Sequence, residues 1–513
     1  MARVGGAVKG RGDGGARGWG CGKLGGMRTA YSVETVRAAE RELMARLPEG
    51  ALMQRAAAGL AAACADVLGR VYGSRVVLLV GSGDNGGDAL YAGARLARRG
   101  AGVRAVLLAP GRTHAGGLAA LRRAGGSVVS SDAGGAVGLV EQADLVVDGI
   151  VGIGGKGGLR EAAVPLAEAA RRGRGVVVAV DLPSGVDADT GEVRGAAVRA
   201  DVTVTFGAYK PGLLIDPARE YAGVVRFVDI GLGDRVAGLP QAEALQHADV
   251  ARLLPVPGAE SDKYRRGVVG IAAGSARYPG AAVLAVGGAL RGGAGAVRYV
   301  GPAGGAVLAR YPETLVSERG PARAGRVQAW VVGPGAGDDA ATVGEVLAAD
   351  VPVLIDADGL RLAEVGAVRG RGLRGVPTLM TPHAGEAAAL LGVEREEVES
   401  GRLAAARELA ARYEAAVLLK GSTTVVAEAG GGGAVRVNPT GTPWLATAGS
   451  GDVLSGLGGS LLAAGLSAVD AGSVAAYLHG LAGRFAAEGA PVAAEDVAGR
   501  IAEAWRSVVG AEV

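Results

Sequence analysis

A single aspartate near the C-terminal end of the chain stands where a general base could work. Asp452 follows Gly449, Ser450 and Gly451, and a helix of small apolar residues is predicted directly after it. The backbone N–H groups of such a turn and the positive end of the helix dipole bind anions such as phosphate. The carboxylate beside them could take the proton of an attacking hydroxyl, as phosphoryl transfer requires. The alternative interpretation is that Asp452 only caps the helix.

Four polar segments in the N-terminal half each follow an apolar, strand-like run; they are 81–88, 148–158, 181–187 and 206–212. The carboxyl ends of parallel strands meet in one crevice, so these segments are predicted to converge. Side-chain oxygens of Asn85, Asp148 and Ser184 could bind a hard monovalent cation. Asp181 and Lys210 are then left for proton transfer. Each aspartate could instead cap a helix, and each glycine run could be only a tight turn.

The first of these segments matches the dinucleotide-binding pattern G-x-G-x-x-G at Gly81, Gly83 and Gly86. Two features weaken that interpretation. The next predicted strand does not end in the acidic residue that would hold a ribose hydroxyl. In addition, Asp84 and Asp88 place negative charge where a pyrophosphate would bind. The motif alone is therefore weak evidence for an ordinary dinucleotide fold.

Histidines and cysteines add little chemistry. His383 follows a predicted strand and a proline, which favours substrate contact, whereas His479 on an apolar helix favours a structural role. No Cys/His cluster has zinc spacing, and no G-x-x-x-x-G-K-[ST] sequence is present. The two cysteines, Cys21 and Cys64, make no disulfide framework, which favours a reducing cytoplasm.

The elements that must position these residues are short apolar strands alternating with Ala/Arg/Glu-rich helices. The predicted strands are 76–80, 103–108, 145–147, 176–180, 202–206 and 224–228, then 268–272, 329–332, 353–355, 378–380 and 417–419, with a hairpin around 430–433. Continuous rather than alternating apolar runs indicate parallel sheets covered on both faces. The predicted class is α/β with two domains, the first a Rossmann-like, doubly wound domain.

The composition sets the domain boundaries and excludes several classes of protein. The 513 residues are 49% hydrophobic, and the formal net charge of +3 disfavours a nucleic-acid binder. A Gly/Arg-rich segment over 1–26 is predicted to be a disordered extension. Domains are predicted at 27–235 and 263–513, with a Pro-rich linker at 236–262. The longest uncharged run, 453–469, is predicted to be a buried helix rather than a membrane span.

The first domain resembles the YjeF N-terminal family, the NAD(P)H-hydrate epimerases, over about 32–231. The resemblance implies epimerisation at C6 of hydrated NAD(P)H and a bound K⁺ held by Asn85, Asp148 and Ser184. It implies substrate contacts from Asp84, Asn85, Gly86, Gly87, Asp88, Gly152, Ile153, Gly154, Gly155, Lys156, Gly157, Gly158 and Asp181. Asp84 stands where this family usually has Asn.

The second domain looks like a ribokinase-like domain of the YjeF C-terminal family, the ADP- or ATP-dependent NAD(P)H-hydrate dehydratases. The specific matches include 263–267, 278–282, 333–337, 381–386 and the Gly-Ser-Gly-Asp turn. The resemblance implies that the hydrated nucleotide contacts Ala281, Gly335, His383 and Asp452. It implies that the adenine nucleotide is held by Lys420, Gly421, Ser422, Thr423, Thr424 and Gly451.

Together the resemblances imply repair of a damaged cofactor. The first domain would interconvert the R and S hydrates, and the second would use ADP with Mg²⁺ to restore NAD(P)H. The alternative is a vitamin or sugar kinase of the same fold whose first domain is a non-catalytic binding module. We expect a cytoplasmic homo-oligomer that binds NAD(P)H-hydrate and ADP, with no nucleic-acid or membrane partner.

Overall fold

The computed structural model describes residues 26–510, arranged around two β-sheets. Most of the extension predicted over 1–26 lies outside the described residues. The strands, in chain order, are β1 (Arg28–Ala30), β2 (Arg75–Val80), β3 (Gly102–Leu107), β4 (Ser127–Ser130), β5 (Leu145–Gly149), β6 (Val176–Val180), β7 (Val202–Phe206), β8 (Val224–Val228), β9 (Ala242–Ala244), β10 (Val268–Ala272), β11 (Ala296–Val300), β12 (Leu315–Ser317), β13 (Ala329–Val332), β14 (Val353–Ile355), β15 (Thr378–Met380), β16 (Ala416–Leu419), β17 (Thr424–Ala427) and β18 (Val435–Asn438).

Helices cover both faces of the sheets. In chain order they are α1 (Val33–Met44), α2 (Ala51–Leu68), α3 (Asp84–Arg98), α4 (Ala115–Arg123), α5 (Ala136–Glu141), α6 (Val164–Arg172), α7 (Ala218–Ala222), α8 (His247–Leu253), α9 (Pro279–Arg291), α10 (Gly304–Arg310), α11 (Ala340–Leu347), α12 (Asp358–Leu362), α13 (Val365–Leu373), α14 (Ala384–Leu391), α15 (Arg395–Ser400), α16 (Arg402–Tyr413), α17 (Ser450–Ala463), α18 (Ala468–Ala487) and α19 (Ala494–Val509).

The first sheet has the strand order β4-β3-β2-β5-β6-β7-β8, and each neighbouring pair is parallel. From β2 the chain moves outward to β3 and β4, and from β5 it moves toward the other edge. The order therefore reverses between β2 and β5, and a crevice opens at the carboxyl ends of these strands. The predicted doubly wound topology is confirmed.

The second sheet has the order β1-β9-β18-β17-β16-β15-β14-β13-β10-β11-β12. Its strands from β16 to β12 are parallel neighbours, and its order reverses between β13 and β10. The hairpin predicted around 430–433 is confirmed, because β17 and β18 pair antiparallel on either side of it. The predicted two-domain α/β class is likewise confirmed.

Two short strands from outside the predicted second domain complete this sheet. β1 pairs antiparallel with β9, and β9 pairs parallel with β18. β1 lies inside the segment predicted as the first domain, and β9 lies inside the predicted linker. The boundaries of 27–235 and 263–513 stay predictions, and the structure adds that the N-terminal strand crosses to the other sheet.

Helix α17, which carries Asp452, is held unusually close to α9. A β-carbon at Gly456 would lie 1.9 Å from the carbonyl oxygen of Ala285, and one at Gly288 would lie 2.2 Å from that of Val453. Only glycine lets two backbones approach this closely. The described residues from Val453 to Ala463 are all buried. The buried helix predicted over 453–469 is confirmed there, although it ends at Ala463 and α18 begins at Ala468.

By length and composition, α2 is the described helix that is long and apolar enough to cross a membrane. It packs inside the first domain instead. Leu60 and Cys64 on this helix are buried in the apolar core that also contains strand residues Leu78 and Val147. α2 is therefore a core helix of the first domain.

Candidate active sites

The glycine-rich loop after β2 lies against the end of β5. A β-carbon at Gly81 would lie only 1.8 Å from the carbonyl oxygen of Ile150, so no larger residue fits this position. After Gly83, helix α3 begins with Asp84 and Asn85, and a β-carbon at Gly86 would meet the carbonyl oxygen of Gly81 at 2.5 Å. The glycine spacing thus serves close packing between two strand ends at the crevice.

Asn85, Asp148 and Ser184, the predicted cation ligands, come from three different strand ends. Ser184 Oγ donates to Asp148 Oδ1 at 2.6 Å, and the Ser184 backbone N–H donates to Oδ2 at 2.8 Å. Asn85 Nδ2 donates to the carbonyl oxygen of Val180 at 2.6 Å, and the Asn85 side chain lies against Gly152. The structure therefore brings the end of β5, the loop after β6 and the start of α3 together.

Asp148 is completely buried, and no ion pair to it is present among the described residues. Burial raises the pKa of Asp148 to about 6, while hydrogen bonds from Ser184 and Ile150 oppose that rise. A buried carboxylate that lacks a basic partner is costly unless a cation compensates it. This charge imbalance fits the predicted cation site.

Asp181 and Lys210, the predicted proton-transfer pair, form a buried ion pair. Nζ of Lys210 donates to Oδ1 of Asp181, and to Thr205 Oγ1 at 3.0 Å. Lys210 is 1% exposed, and Asp181 adopts a left-handed backbone conformation with φ of 66°. A non-glycine residue in that region is strained, and such strain is maintained mainly at functional sites. The two residues follow β6 and β7 and meet at the crevice.

A cluster of acidic side chains surrounds this ion pair. Asp88 is buried, and its Oδ1 has no hydrogen-bond partner among the described residues. Burial and the charges of Asp181, Asp84 and Glu40 raise the pKa of Asp88 well above its ordinary value. Burial and the charge of Asp181 also raise the pKa of Glu40. Glu40 was not among the predicted site residues, because it lies on α1, far along the chain from every strand-end motif.

The loop 152–158 borders the same crevice. Gly152 lies against the Asn85 side chain, and Gly154 lies near Arg37, where an added β-carbon would be 2.9 Å from Nη2. Ile153 and Gly155 are half-buried, whereas Lys156 and Gly157 are exposed. Gly158 packs against the carbonyl oxygen of Arg194. The loop therefore packs against neighbouring residues at both ends, and Lys156 in its middle is exposed to solvent.

In the second domain, the Gly-Ser-Gly-Asp turn opens α17. Gly449 has a φ of 88°, and Ser450 Oγ donates to the carbonyl oxygen of Leu445 at 2.7 Å. A β-carbon built at Gly451 would lie 3.4 Å from Nζ of Lys420 and 3.7 Å from Oδ2 of Asp356. The start of the helix, the Lys420 ammonium and the Asp356 carboxylate therefore meet at Gly451, and the helix start and the ammonium both favour an anion there.

Asp356, at the end of β14, anchors this arrangement. Lys420 Nζ donates to its Oδ1 at 2.7 Å, and Ser455 Oγ donates to its Oδ2 at 2.6 Å. Glu386 Oε2 lies 3.8 Å from Lys420 Nζ. Burial favours neutral Lys420, but the charges of Asp356, Glu386 and Asp452 hold its pKa above the ordinary value. Lys420 is therefore held in its protonated form by the carboxylates around it.

The carboxyl group of Asp452 has a raised pKa. Burial raises its pKa to about 7, the charge of Asp356 adds to that rise, and Lys420 opposes it. A base works best when its pKa is near the working pH. Asp356 and Glu386 were absent from the predicted site residues. The signal that could have identified them is that Asp356 directly follows a predicted strand and that Glu386 ends the 381–386 motif after another.

The predicted substrate residues Ala281 and Gly335 meet where the second sheet reverses its order. A β-carbon at Gly335, whose φ is 60°, would lie 2.8 Å from Cβ of Ala281. His383 is exposed and caps α14, because its Nδ1 accepts from the Glu386 N–H at 3.1 Å. Its Nε2 lies 3.6 Å from Glu386 Oε1. Glu386 thus links His383 to Lys420.

His479 is buried on α18 with its Nε2 unpartnered among the described residues, and burial lowers its pKa to about 4.

A separate cleft of about 260 Å³ lies between the domains and is lined mainly by 192–194 and by residues of α15 and α16. This cleft contains none of the predicted site residues, so the hydrogen-bonded clusters, rather than cavity size, locate the two sites.

The predicted nucleotide loop, Lys420–Thr424, connects β16 to β17. Its glycine, Gly421, packs against the guanidinium group of Arg402, and Ser422 is exposed. Arg402 donates to the carbonyl oxygens of Lys420 at 2.7 Å and Thr423 at 3.2 Å. Thr423 is 0% exposed, so its side chain does not face solvent.

Comparisons with known proteins give matches to both halves of the chain. A family model described as NAD(P)H-hydrate dehydratase matches residues 269–503, and one described as YjeF-related protein N-terminus matches 49–212. The bifunctional NAD(P)H-hydrate repair enzyme Nnr of Mycobacterium tuberculosis is 50% identical over 455 residues, which cover 87% of this chain and 91% of that protein. The chain belongs to the bifunctional NAD(P)H-hydrate repair enzymes. The namesake from Mycobacterium leprae is 48% identical over 473 residues, or 90% of this chain and 94% of that one.

Within this repair-enzyme family, the two resemblances predicted from the sequence are confirmed. The family match also confirms the ribokinase-like class of the second domain. A solved structure of the ADP/ATP-dependent NAD(P)H-hydrate dehydratase from Bacillus subtilis, co-crystallised with ATP/Mg²⁺, is 29% identical with a TM-score of 0.46; it covers 51% of this chain and 97% of that chain.

Proposed function

We propose that the protein repairs hydrated NAD(P)H with two catalytic centres. The first domain epimerises the R and S hydrates at C6, and the second dehydrates the S form to NAD(P)H at the expense of ADP, giving AMP and phosphate. The observation that carries the proposal is the joint placement of Asp452, Lys420 and Asp356 at the start of α17 in a chain of this family.

Dehydration begins with Asp452 taking the proton of the C6 hydroxyl. The hydroxyl oxygen attacks the β-phosphorus of ADP, a new O–P bond forms, and the bond to the bridging oxygen breaks, which releases AMP. The N–H groups near Gly451 and the ammonium of Lys420 stabilise the transferring charge. The C6–O bond then breaks with help from the ring nitrogen lone pair, phosphate leaves, and a proton is lost from C5 as the double bond re-forms.

Epimerisation inverts the configuration at one carbon and consumes no co-substrate. The C6–O bond must break and re-form on the other face of the ring, so one oxygen leaves with a proton and another loses one. Lys210 donates a hydrogen bond to Asp181 at the crevice, and this pair supplies the proton exchange. Asp84 and Asn85 at the start of α3 and the loop 152–158 orient the nucleotide there.

The predicted ions fit the two sites in different ways. Asn85, Asp148 and Ser184 would hold K⁺, because the buried Asp148 carboxylate lacks a basic partner in the described chain. K⁺ would supply compensating charge and fix the strand ends. Mg²⁺ would arrive on the phosphates of ADP and offset their charge, since the described residues hold no cluster of three or more His, Cys, Asp or Glu that could bind a metal.

We also propose that the protein is located in the cytoplasm and forms a homo-oligomer.

The test is to incubate the full chain with mixed hydrate epimers, ADP and Mg²⁺ and to follow absorbance of the reduced nicotinamide. We expect complete recovery with the native chain. The Asp181→Asn variant should restore only the S half of the hydrate pool, apart from what spontaneous epimerisation supplies. It keeps the second catalytic centre but loses the proton exchange of the first. Asp132→Asn, at an exposed position, is the matched control. A stable phosphorylated product without recovery would instead show a kinase.

A further inference from the structure

The nucleotide loop of the second domain is held by a residue of the first. Thr423 Oγ1 donates a hydrogen bond to Asp216 Oδ2, although the two residues are 207 positions apart in the chain. Both side chains are buried, and the hydroxyl of Thr423 has no access to a ligand. This hydrogen bond therefore acts on the shape of the loop and not on the nucleotide directly.

Arg402 joins the same arrangement from the other side. Its guanidinium donates to the carbonyl oxygens of Lys420 and Thr423, at the two ends of the tight part of the loop. Arg402 is buried, so its positive charge needs a compensating carboxylate. Burial lowers the pKa of Arg402, and the charges of Asp216 and Glu399 oppose that shift.

Asp216 is itself fixed in place by the core of the second domain. Leu214 and Ile215, directly before it, are buried in the apolar cluster that contains Val425 and Val437 of the second sheet. The neighbouring segment is also anchored, because the Tyr31 N–H after β1 donates to the carbonyl oxygen of Tyr209 at 2.9 Å. A rigidly placed carboxylate can orient a loop with little loss of conformational entropy on binding.

We propose that Asp216 is a positioning residue, supplied by the first domain, that sets the conformation of the nucleotide loop for ADP. This inference rests on the proposed function, because it assumes that the loop Lys420–Thr424 contacts the adenine nucleotide through groups other than the buried side chain of Thr423. Asp216 acts through Thr423 and Arg402 and touches no reacting atom. Loss of its charge loosens the loop and weakens ADP binding, while the chemistry at Asp452 continues once ADP is bound.

The experiment uses the full chain with Asp216→Asn, Thr423→Val and the double variant. Binding of ADP and AMP is measured by calorimetry, and KM for ADP and kcat are measured by nicotinamide absorbance. We expect each single change to raise Kd and KM for ADP about tenfold, from the loss of a buried hydrogen bond to a charged group, with kcat at saturating ADP within about twofold. The double variant should be no worse than Asp216→Asn alone, because that change already breaks the contact with Thr423.

Matched controls separate positioning from a general loss of stability. Asp189→Asn, which removes a carboxylate that accepts from the Val33 N–H at 2.7 Å elsewhere in the first domain, should leave KM for ADP unchanged. Thr423→Ser keeps the hydroxyl and should bind ADP more tightly than Thr423→Val. Unchanged KM and Kd in both single variants, or additive losses in the double variant, would overturn the inference alone. A native chain that binds no ADP and restores no NAD(P)H would overturn the proposed function and the inference with it.

Discussion

At the scale of single residues, the second site depends on how three charged side chains share one small space. Asp356 accepts hydrogen bonds from Lys420 and Ser455, whereas burial and the charge of Asp356 raise the pKa of Asp452 to about 7. Two carboxylates near one another and near one ammonium group acquire separate roles through their environments. Asp356 holds the ammonium group of Lys420, and in the proposed mechanism Asp452 takes the proton.

Replacing Asp452 with Asn should lower kcat of dehydration by about 10²- to 10⁴-fold, because an amide cannot accept the hydroxyl proton. Binding of AMP should remain close to native, since the backbone N–H groups and Lys420 are unchanged. Stopped-flow absorbance measures the first effect and calorimetry the second. Asp338→Asn is the matched control, because that side chain is 92% exposed and paired only with Arg361 among the ion pairs of the described chain. Near-native turnover in Asp452→Asn would remove Asp452 from the chemistry.

The pH profile of dehydration should report the Asp452 pKa of about 7. The base must be ionised, so kcat/KM should fall tenfold per pH unit below about 7 and level off above it. Asp356→Asn removes the charge that adds to the effect of burial, and the acidic limb should move to lower pH by up to about one unit. The position of the limb is measured independently of the absolute rate. A limb that stays in place, or moves to higher pH, would contradict this electrostatic account.

At the scale of elements, each site is built where a sheet reverses its strand order. The crevice between β2 and β5 collects Asn85, Asp148 and Asp181, and the reversal between β13 and β10 brings Gly335 to Ala281. Glycines let the loops at these strand ends touch through their backbones. Whether a particular glycine is required depends on what its missing side chain would meet, which the sequence pattern alone does not reveal.

Two glycines of one loop should therefore respond differently to the same change. Gly81→Ala would place a β-carbon 1.8 Å from a backbone oxygen, whereas a β-carbon at Gly83 meets nothing within 4 Å. We expect Gly81→Ala to lower the free energy of unfolding by about 2–3 kcal/mol through forced backbone movement. Gly83→Ala should change it by less than about 1 kcal/mol. Denaturant unfolding of both variants measures the difference, and equal losses would contradict the predicted close contact.

At the scale of the whole molecule, the two domains are interlocked at their junction. The N-terminal strand β1 forms the edge of the second sheet, and its Ala30 is buried in the core of that sheet. Asp216, in the segment predicted as the first domain, accepts a hydrogen bond from Thr423 of the second domain. These contacts join the two repair activities in one structure and go beyond a flexible link between independent domains.

A chain that begins at Ser32 should be less stable than one that begins at Met27. The shorter chain lacks β1, so it loses the pairing with β9 and leaves that edge of the second sheet uncovered. We expect its Tm to be lower by about 2–5 °C. Calorimetry of both chains under identical conditions measures this. Identical Tm values would show that β1 contributes nothing to the second sheet.

The sequence alone predicted the alternation of strands and helices, because a buried parallel strand requires a continuous apolar run and turn residues at its ends. It also predicted the polar strand-end segments and, through their similarity to known families, the repair chemistry. The three-residue strands β1 and β9 escaped detection, because they contain Arg28, Thr29 and Glu243 and so lack the continuous apolar run that marked the equally short β14 and β15.

The tertiary structure alone decided which distant residues meet. Local pattern sets each element, but the order of strands in a sheet decides whether Asp356 lies beside Lys420 or whether Asp216 reaches Thr423. Ionisable side chains that lie far apart along the chain acquire shifted pKa values when folding buries them and brings them close to one another. The residue types were present in the sequence, and their chemistry came from the packing that joined them.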